Sequence, residues 1–435
     1  PNTAGNSIGS IVSTHCAEVP VLAGVLVESL DTQVGTWQYT LDAGRSWRVI
    51  RTDLINRDGR RGLVLSLDAR LRVLPFGGQR GSARVAFHPV QFFQEDCNGI
   101  YRAYAPAEER PHLPSVALVL GFIQTTQPKV WHSLQAIHQG DTPKVVLDHL
   151  AKELDTKGML KVLRQGFKCY GKKLRVAVFA PSNAMNPDTL ALYGHNQLTV
   201  TRQLYYSDAH SKSLDLVLFL NGLPIATAEL KNPLSGQTVE DAKRQYKRDR
   251  DARELLFEFK KRALVHFAVD QDQVFMATRL SGDKTFFLPF NLGDHGHAGN
   301  PPAADGGYRT AYLWREVWQR DSLLDIVGRF MHLQEEDKRI LTDEGIKKIH
   351  KETMIFPRYH QLDAVRKLVA HAQAHGPGRN YLVQHSAGSG KSNSIAWLAH
   401  RLSSLHDAAD KKVFDSVIVV TDRQVLDAQL QDTIY

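Results

Sequence analysis

A segment near the end of the printed chain, SAGSGKS at residues 386–392, has the composition and spacing of a phosphate-binding loop. Small residues let backbone N–H groups wrap phosphates at a helix N-terminus, where the dipole favours negative charge. The lysine would reach the β- and γ-phosphates, and the final serine would hold Mg²⁺. The alternative is a Gly/Ser loop that only caps a helix. The candidate nucleotide-binding residues are Gly388, Ser389, Gly390, Lys391 and Ser392.

A second candidate group lies in the middle of the chain, where Asp215 precedes the triplet Glu229, Leu230 and Lys231. Alternation along a strand places Glu229 and Lys231 on one face. Two carboxylates and the carbonyl of Leu230 would form an oxygen-rich Mg²⁺ site, and the lysine would orient or deprotonate an attacking water. The alternative is a solvated hairpin face, because such faces often carry Glu and Lys.

The elements that must position these residues are readable from hydrophobic patterning. Two strand-like runs flank Asn221-Gly222, and both central positions of a type I′ turn need positive φ, so residues 214–233 are predicted to form a β-hairpin. A charged helix is predicted at 241–262, followed by two strands around a polar turn at 271–273. Before the phosphate loop, residues 381–383 are predicted to form a strand, and the following helix carries an apolar face of Ile395, Leu398 and Leu402. The pattern predicts a mixed α/β fold.

Composition narrows the classes of protein. At 435 residues the length suggests two to four domains. The net charge of +8 is compatible with nucleic acid, but acidic residues are almost as numerous as basic ones. Three cysteines far apart indicate neither a disulfide framework nor a zinc site, and a reducing compartment fits best. The longest apolar run, 116–123, is too short to span a membrane and is predicted to form a buried helix.

From about residue 111 to 435 the chain resembles the R subunit of type I restriction enzymes, which joins a PD-(D/E)xK nuclease to a superfamily 2 translocation motor. The matching stretches follow the order of the family and are FIQTTQPKVWHSLQ, LAKELDTKGMLKVLRQGF, YGHNQLTVTRQLYYS, LDLVLFLNGLPIATAELKNPLSGQTVEDAKRQY, YLWREVWQRDSLLDIVGRFMHL and RYHQLDAVRKLVAHA.

The resemblance implies roles for individual residues. It implies nuclease catalysis by Asp215, Glu229 and Lys231, with Gln245 in support. Asp249 stands where many relatives have the tyrosine of a Q-x-x-x-Y pattern, although Tyr246 is adjacent to Gln245. On the motor side it implies that Tyr359 and Gln361 recognise adenine. It also implies that the stretch 416–429 contacts the DNA backbone, through Thr421 and Arg423.

The same resemblance implies Mg²⁺ and ATP as cofactors. The implied partners are double-stranded DNA and the methyltransferase and specificity subunits, in the cytoplasm and without a membrane. The expected activity is ATP-dependent translocation with Mg²⁺-dependent cleavage. Because the acidic motif of the motor's first lobe and the whole second lobe would lie beyond residue 435, we expect a truncated RecA-like lobe that binds ATP weakly and lacks turnover. The alternatives are a helicase-nuclease of DNA repair and an inert DNA-binding polypeptide.

The front of the chain has a different character. Alternating residues around WQYTLDAGRSW and in residues 63–90 predict strands, and the segment resembles a cadherin-like repeat of bacterial surface adhesins. The predicted organisation is a β-rich segment at 1–92, a nuclease domain at 93–290, a linker with connecting helices at 291–350, and the first half of a RecA-like lobe at 351–435.

Overall fold

The computed structural model describes residues 5–15, 24–33, 35–50, 52, 63–77, 83–90, 116–138, 140–183, 185–207, 210–232, 236–294, 297–342 and 345–421. The chain divides into two compact units, each with its own interior. One comprises Pro1–Pro111 with Arg202–Ser213, and the other comprises His112–Thr201 with Leu214–Tyr435.

The first unit is β-rich, as the front of the sequence predicts. Its elements are β1 (Asn6–Ser7), α1 (Ile8–His15), β2 (Gly24–Leu30), β3 (Gly35–Thr40), β4 (Arg48–Val49), β5 (Leu63–Ser66), β6 (Arg70–Pro75) and β7 (Val85–Val90). They form one sheet in the order β1-β6-β3-β4 and another in the order β5-β2-β7. The alternation in β3 buries both Trp37 and Tyr39 in a small core.

The second unit begins with four helices, α2 (Val116–Thr126), α3 (Pro128–Ile137), α4 (Thr142–Lys157) and α5 (Met159–Gln165). Helix α2 confirms the predicted buried helix, with Val119, Phe122 and Ile123 inside. A hairpin of β8 (Phe167–Cys169) and β9 (Lys172–Leu174) and then α6 (Pro187–Gly194) follow. Gly166 separates α5 from β8 with φ of 72°, and a Cβ there would lie 2.1 Å from the carbonyl oxygen of Leu174, so only glycine fits.

The largest sheet carries the predicted hairpin. Its strands, β10 (Leu198–Tyr205), β11 (Ser213–Leu220), β12 (Leu223–Leu230), β13 (Val265–Val269), β14 (Val274–Ala277) and β15 (Leu288–Pro289), pair in sequence order. β11 and β12 are antiparallel and joined by Asn221 and Gly222, whose φ angles of 48° and 81° are both positive. The hairpin and the two strands around the polar turn are therefore confirmed. β12 and β13 are parallel, and their crossover contains α7 (Val239–Arg248).

The prediction of one charged helix over 241–262 is wrong, because α7 ends at Arg248 and turns follow. The helix begins with a capping box between Thr238 and Asp241. Beyond its end, Arg250 and Arg262 are buried and reach carboxylates elsewhere in the unit. Burying a guanidinium requires a paired anion. The turns after α7 place the guanidiniums of Arg250 and Arg262 beside such anions.

Residues 308–356 contain more structure than a linker. Two π-helical turns, Leu313–Val317 and Ile326–Phe330, flank α8 (Arg320–Asp325). A long antiparallel ribbon, β16 (His332–Thr342) with β17 (Gly345–Ile355), follows where connecting helices were expected. The domain boundaries drawn from the sequence remain predictions.

The end of the described chain consists of α9 (Tyr359–His375), the phosphate loop and α10 (Lys391–Ser403). The predicted strand at 381–383 is wrong, and residues 416–421, the described part of the stretch implied to contact DNA, form no strand either. Leu382 is 92% exposed and Val420 is 88% exposed. A strand needs a hydrogen-bonded neighbour, and within the described residues neither apolar run has one. In α10 the buried residues are Ala396 and Trp397, whereas Ile395 is exposed.

One hydrophobic core runs through the second unit. It includes Val119 of α2, Ala228 of β12, Phe267 of β13, Leu362 of α9 and Trp397 of α10. The sheet and the phosphate-loop helices therefore share one interior. In the described part of the chain no helix is both long and apolar enough to cross a membrane.

Candidate metal centre and phosphate loop

The β11–β12 hairpin brings the two candidate carboxylates to one face of the sheet. Leu216 pairs with Ala228 in the antiparallel register, and extending that register by one residue sets Asp215 opposite Glu229. Side chains that face each other across an antiparallel pair point to the same side. Asp215 also accepts a hydrogen bond at Oδ2 from the backbone N–H of Leu230, at 2.8 Å, which fixes its orientation.

Glu229 is fully buried, and its partner is a residue that sequence reasoning missed. Arg250 donates from Nε to Glu229 Oε1 at 2.7 Å and approaches the same oxygen with Nη2 at 2.5 Å. Burial raises the pKa of Glu229 well above its ordinary value; Arg250 opposes that shift and Asp215 adds to it. A carboxylate in this setting gains from any further cation that reaches it.

Lys231 directly follows β12, two residues after Glu229, and is held by α7. Its Nζ donates a hydrogen bond to Gln245 Oε1 at 2.5 Å. Its backbone N–H donates to the carbonyl of Val269 on β13 at 2.8 Å. The structure thus brings together Asp215, Glu229, Lys231 and Gln245. It does so through two strands and one helix.

A buried polar group adjoins these residues on the same face, where Thr227 lies two positions before Glu229 on β12. The hydroxyl of Thr227 contacts the Tyr246 hydroxyl and Nδ1 of His266, each at 2.8 Å. Burial raises the pKa of Tyr246 well above its ordinary value and lowers the pKa of His266 to about 3. Tyr246 therefore anchors α7 to the sheet, whereas Asp249, at the family's tyrosine position, is exposed.

The ligand types here suit Mg²⁺, which prefers oxygen ligands and few protein groups. Glu229 Oε2 is buried and has no hydrogen-bond partner, an arrangement that is costly unless something else satisfies the oxygen. No group of three or more His, Cys, Asp or Glu side chains in the described residues is arranged to hold a metal ion. A cation here would depend on Asp215, Glu229 and a backbone carbonyl.

The phosphate loop is held at its base by α9. Gly390 is the N-cap of α10 in a left-handed conformation, with φ of 81°. Gln361 is buried and donates from Nε2 to the carbonyl of Gly390 at 2.7 Å, while its Oε1 accepts from the backbone N–H of Arg358 at 2.8 Å. A Cβ on residue 390 would lie 2.4 Å from the Gln361 side chain, so this contact requires glycine.

Two further contacts to the loop were not predicted. Arg358 donates from Nη1 to the carbonyl of Gly388 at 3.3 Å, and His360 Nε2 lies 3.1 Å from the carbonyl of Ser389. Lys391 is exposed, and its Nζ donates to the carbonyls of His385 and Ser386 at 3.2 and 3.1 Å. The lysine therefore folds back over its own loop, where phosphates would otherwise sit.

The remaining predicted residues are less closely involved. Ser389 is buried, with an unpartnered hydroxyl, and Ser392 is half-buried in the first turn of α10. Tyr359 packs edge-on against Phe290 and Tyr312, with ring centroids 5.8 and 5.2 Å apart. Thr421 is half-buried at the end of the described chain, and Arg423 lies outside the described residues.

Comparison with family models matches two segments of the chain. Residues 123–285 match the type I restriction enzyme R protein N terminus, and residues 360–435 match the SWI2/SNF2 ATPase. The chain thus has a mixed α/β fold in which a domain similar to the R protein N terminus precedes part of an SWI2/SNF2-like ATPase. The first match contains Asp215, Glu229, Lys231 and Gln245, and the second contains Gln361 and the phosphate loop.

Individual relatives agree with the first match. The chain is 28% identical over 248 residues to the type I restriction enzyme HindI endonuclease subunit of Haemophilus influenzae, covering 55% of this chain and 22% of that protein. It is 25% identical over 234 residues to the putative type I restriction enzyme MjaVIIIP endonuclease subunit of Methanocaldococcus jannaschii, covering 51% and 19%. The chain spans about a fifth of the length of the curated relatives it matches.

The comparisons do not support the cadherin-like resemblance of the front segment, since the matched models begin at residue 123. The front segment is nevertheless β-rich, as the sequence predicts.

Proposed function

We propose that the chain is part of the R subunit of a type I restriction-modification system, in which an ATP-driven motor moves duplex DNA and a PD-(D/E)xK nuclease cleaves it. The observation that carries the proposal is the convergence of Asp215, Glu229, Lys231 and Gln245 within the segment that matches the R protein N terminus. The methyltransferase and specificity subunits would be its partners, in the cytoplasm.

In the nuclease, Asp215, Glu229 and the carbonyl of Leu230 would hold Mg²⁺. When bound, the ion supplies charge stabilisation at the scissile phosphate and lowers the pKa of its water. Lys231 would orient the attacking water, because the bond to Gln245 holds its Nζ beside Glu229. To accept the proton of that water, the side chain would act as the neutral amine and become the ammonium. Gln245 is therefore a positioning residue that acts through Lys231.

In the motor segment, the backbone N–H groups of residues 388–390 would bind phosphates of ATP, with Lys391 at the β- and γ-phosphates and Ser392 on the accompanying Mg²⁺. For this Lys391 must leave the carbonyls of His385 and Ser386. Gln361 and Tyr359 would recognise adenine; for this the Gln361 amide must leave the carbonyl of Gly390 and the N–H of Arg358. Thr421 and Arg423 would contact the DNA backbone.

The decisive experiment compares Lys231→Ala with the wild type in the assembled restriction complex. We expect the variant to lose DNA cleavage, because it lacks the group that would orient the attacking water, and to retain ATP-driven translocation, because the phosphate loop is built from other elements. Cleavage is read from linearised plasmid and translocation from triplex displacement.

The matched control is Lys284→Ala, which removes an exposed lysine of the same segment. It should cleave and translocate as the wild type does. Plasmid cleavage by Lys231→Ala at the wild-type rate would show that the four residues are not the nuclease centre.

A further inference from the structure

The two carboxylate oxygens of Glu229 have different environments. Oε1 receives both Nε and Nη2 of Arg250, at 2.7 and 2.5 Å. Oε2 is buried without any hydrogen-bond partner. One oxygen of the group is therefore saturated and the other is free to bind something else.

Arg250 is built into this position. Its side chain is 3% exposed, and it lies two residues past the end of α7, where the chain leaves the helix. A surface arginine placed on a continued helix would have remained hydrated. Bringing a guanidinium inside removes its hydration, and a close anion is needed to offset that loss. The segment after α7 therefore carries Arg250 to Glu229 specifically.

A buried carboxylate with two free oxygens can turn about its terminal torsion, which is broad and roughly two-fold. A forked donor on one oxygen removes that freedom. Carboxylates that bind metals are commonly held by hydrogen bonds from outside the coordination sphere, and those outer partners set the orientation of the ligand. With Oε1 held by Arg250, Oε2 is the oxygen of Glu229 left for the face shared with Asp215.

We propose that Arg250 is a positioning residue that holds Oε1 of Glu229 so that Oε2 is presented, together with Asp215, to a divalent cation. The proposal rests on the proposed nuclease function. It adds a residue outside the predicted set of Asp215, Glu229, Lys231 and Gln245. In the alternative arrangement, Arg250 takes the place of the cation and competes with it. Removing the arginine weakens cation binding under the proposal and strengthens it under the alternative.

The test measures Mn²⁺ binding to the 435-residue chain by calorimetry, without DNA and without turnover. Arg250→Gln should weaken Mn²⁺ affinity by about 10- to 100-fold, the usual effect of losing an outer partner of a metal ligand. Arg250→Lys keeps the charge but has no planar fork, so it should lose less. Arg253→Gln is the matched control, because Arg253 is exposed and pairs with Asp251 beside it, and its affinity should equal the wild type's.

Unchanged or tighter Mn²⁺ binding by folded Arg250→Gln would overturn the proposal, and tighter binding would establish competition. If Arg250→Gln does not fold, Arg250→Lys carries the same test, and unchanged or tighter binding overturns the proposal there as well. Asp215→Asn separates this inference from the nuclease function. If wild-type Mn²⁺ binding does not depend on Asp215, the metal centre itself fails; if it depends on Asp215 but not on Arg250, only the role of Arg250 fails.

Discussion

His266 shows how burial sets the behaviour of a single residue close to the candidate centre. Its ring is buried, accepts or donates at Nδ1 with Thr227, and has a pKa lowered to about 3 by desolvation. The folded protein therefore keeps this histidine neutral while the unfolded chain protonates it near its ordinary value of about 6.5. The free energy of unfolding therefore has its full value, as far as His266 is concerned, above that pKa, and it decreases as the pH falls toward 3.

This predicts a difference in pH dependence between the wild type and His266→Gln, which cannot take up a proton. Between pH 7 and pH 5 the wild type should lose about 2 kcal/mol more unfolding free energy than the variant, since the unfolded histidine binds a proton over this range. Urea unfolding at the two pH values measures it. Parallel losses in the two proteins would mean that His266 is not held neutral in the fold.

At the scale of elements, Asp325 joins α8 to the two helices that flank the phosphate loop. Arg401 of α10 donates to Oδ1 at 2.6 Å, and Arg366 of α9 donates to Oδ2 at 3.1 Å. Arg329 lies 3.9 Å from the same carboxylate. One carboxylate thus lies close to three guanidinium groups, so its loss should cost more stability than the loss of any one arginine.

We predict that Asp325→Asn destabilises the second unit by about 3–5 kcal/mol, because it leaves partly buried arginines without their anion. Arg401→Met should cost less, since Asp325 retains Arg366 and the methionine fills the space. The matched control is Asp363→Asn, whose partner Lys367 is exposed, and it should change stability by less than about 1 kcal/mol. Denaturant unfolding ranks the three. An Asp325→Asn effect as small as the control's would show that the network contributes little.

At the scale of the whole molecule, one large core joins α2 to α10 in the described part of the second unit, beside a small cluster of Val239, Ala242 and Ala268, whereas the first unit has a core of its own. A ligand that binds only the folded state stabilises everything that unfolds with its site. Nucleotide bound at the phosphate loop should therefore stabilise the sheet that carries Asp215 and Glu229.

We predict that Mg-ATP raises the unfolding temperature reported by Trp131 of α3, which is buried far along the chain from the loop. At about 100 times the dissociation constant the stabilisation should be about 2.7 kcal/mol. Lys391→Ala should abolish the shift, and Lys367→Ala, an exposed lysine of α9, should preserve it. A shift confined to probes on α9 and α10 would mean that the shared core does not unfold as one.

The sequence by itself determined the features that depend on local backbone preferences. Asn221-Gly222 specified the hairpin because both residues tolerate positive φ, and the spacing of Glu229 and Lys231 then fixed their common face. The glycines of the phosphate loop likewise specified its turn and the start of α10. These features need no knowledge of what packs against them.

Only the tertiary structure decided which distant side chains meet. Arg250 pairs with Glu229, and Arg358 and His360 contact the phosphate loop; none of these contacts has a signature in the neighbouring sequence. The charged helix ends at Arg248 and not at residue 262, which helix propensity did not indicate. A buried charge needs a paired anion, and that anion is supplied by a distant part of the chain. The apolar run at 381–383 has strand composition but no strand, since pairing is a property of two segments and a sequence window contains only one.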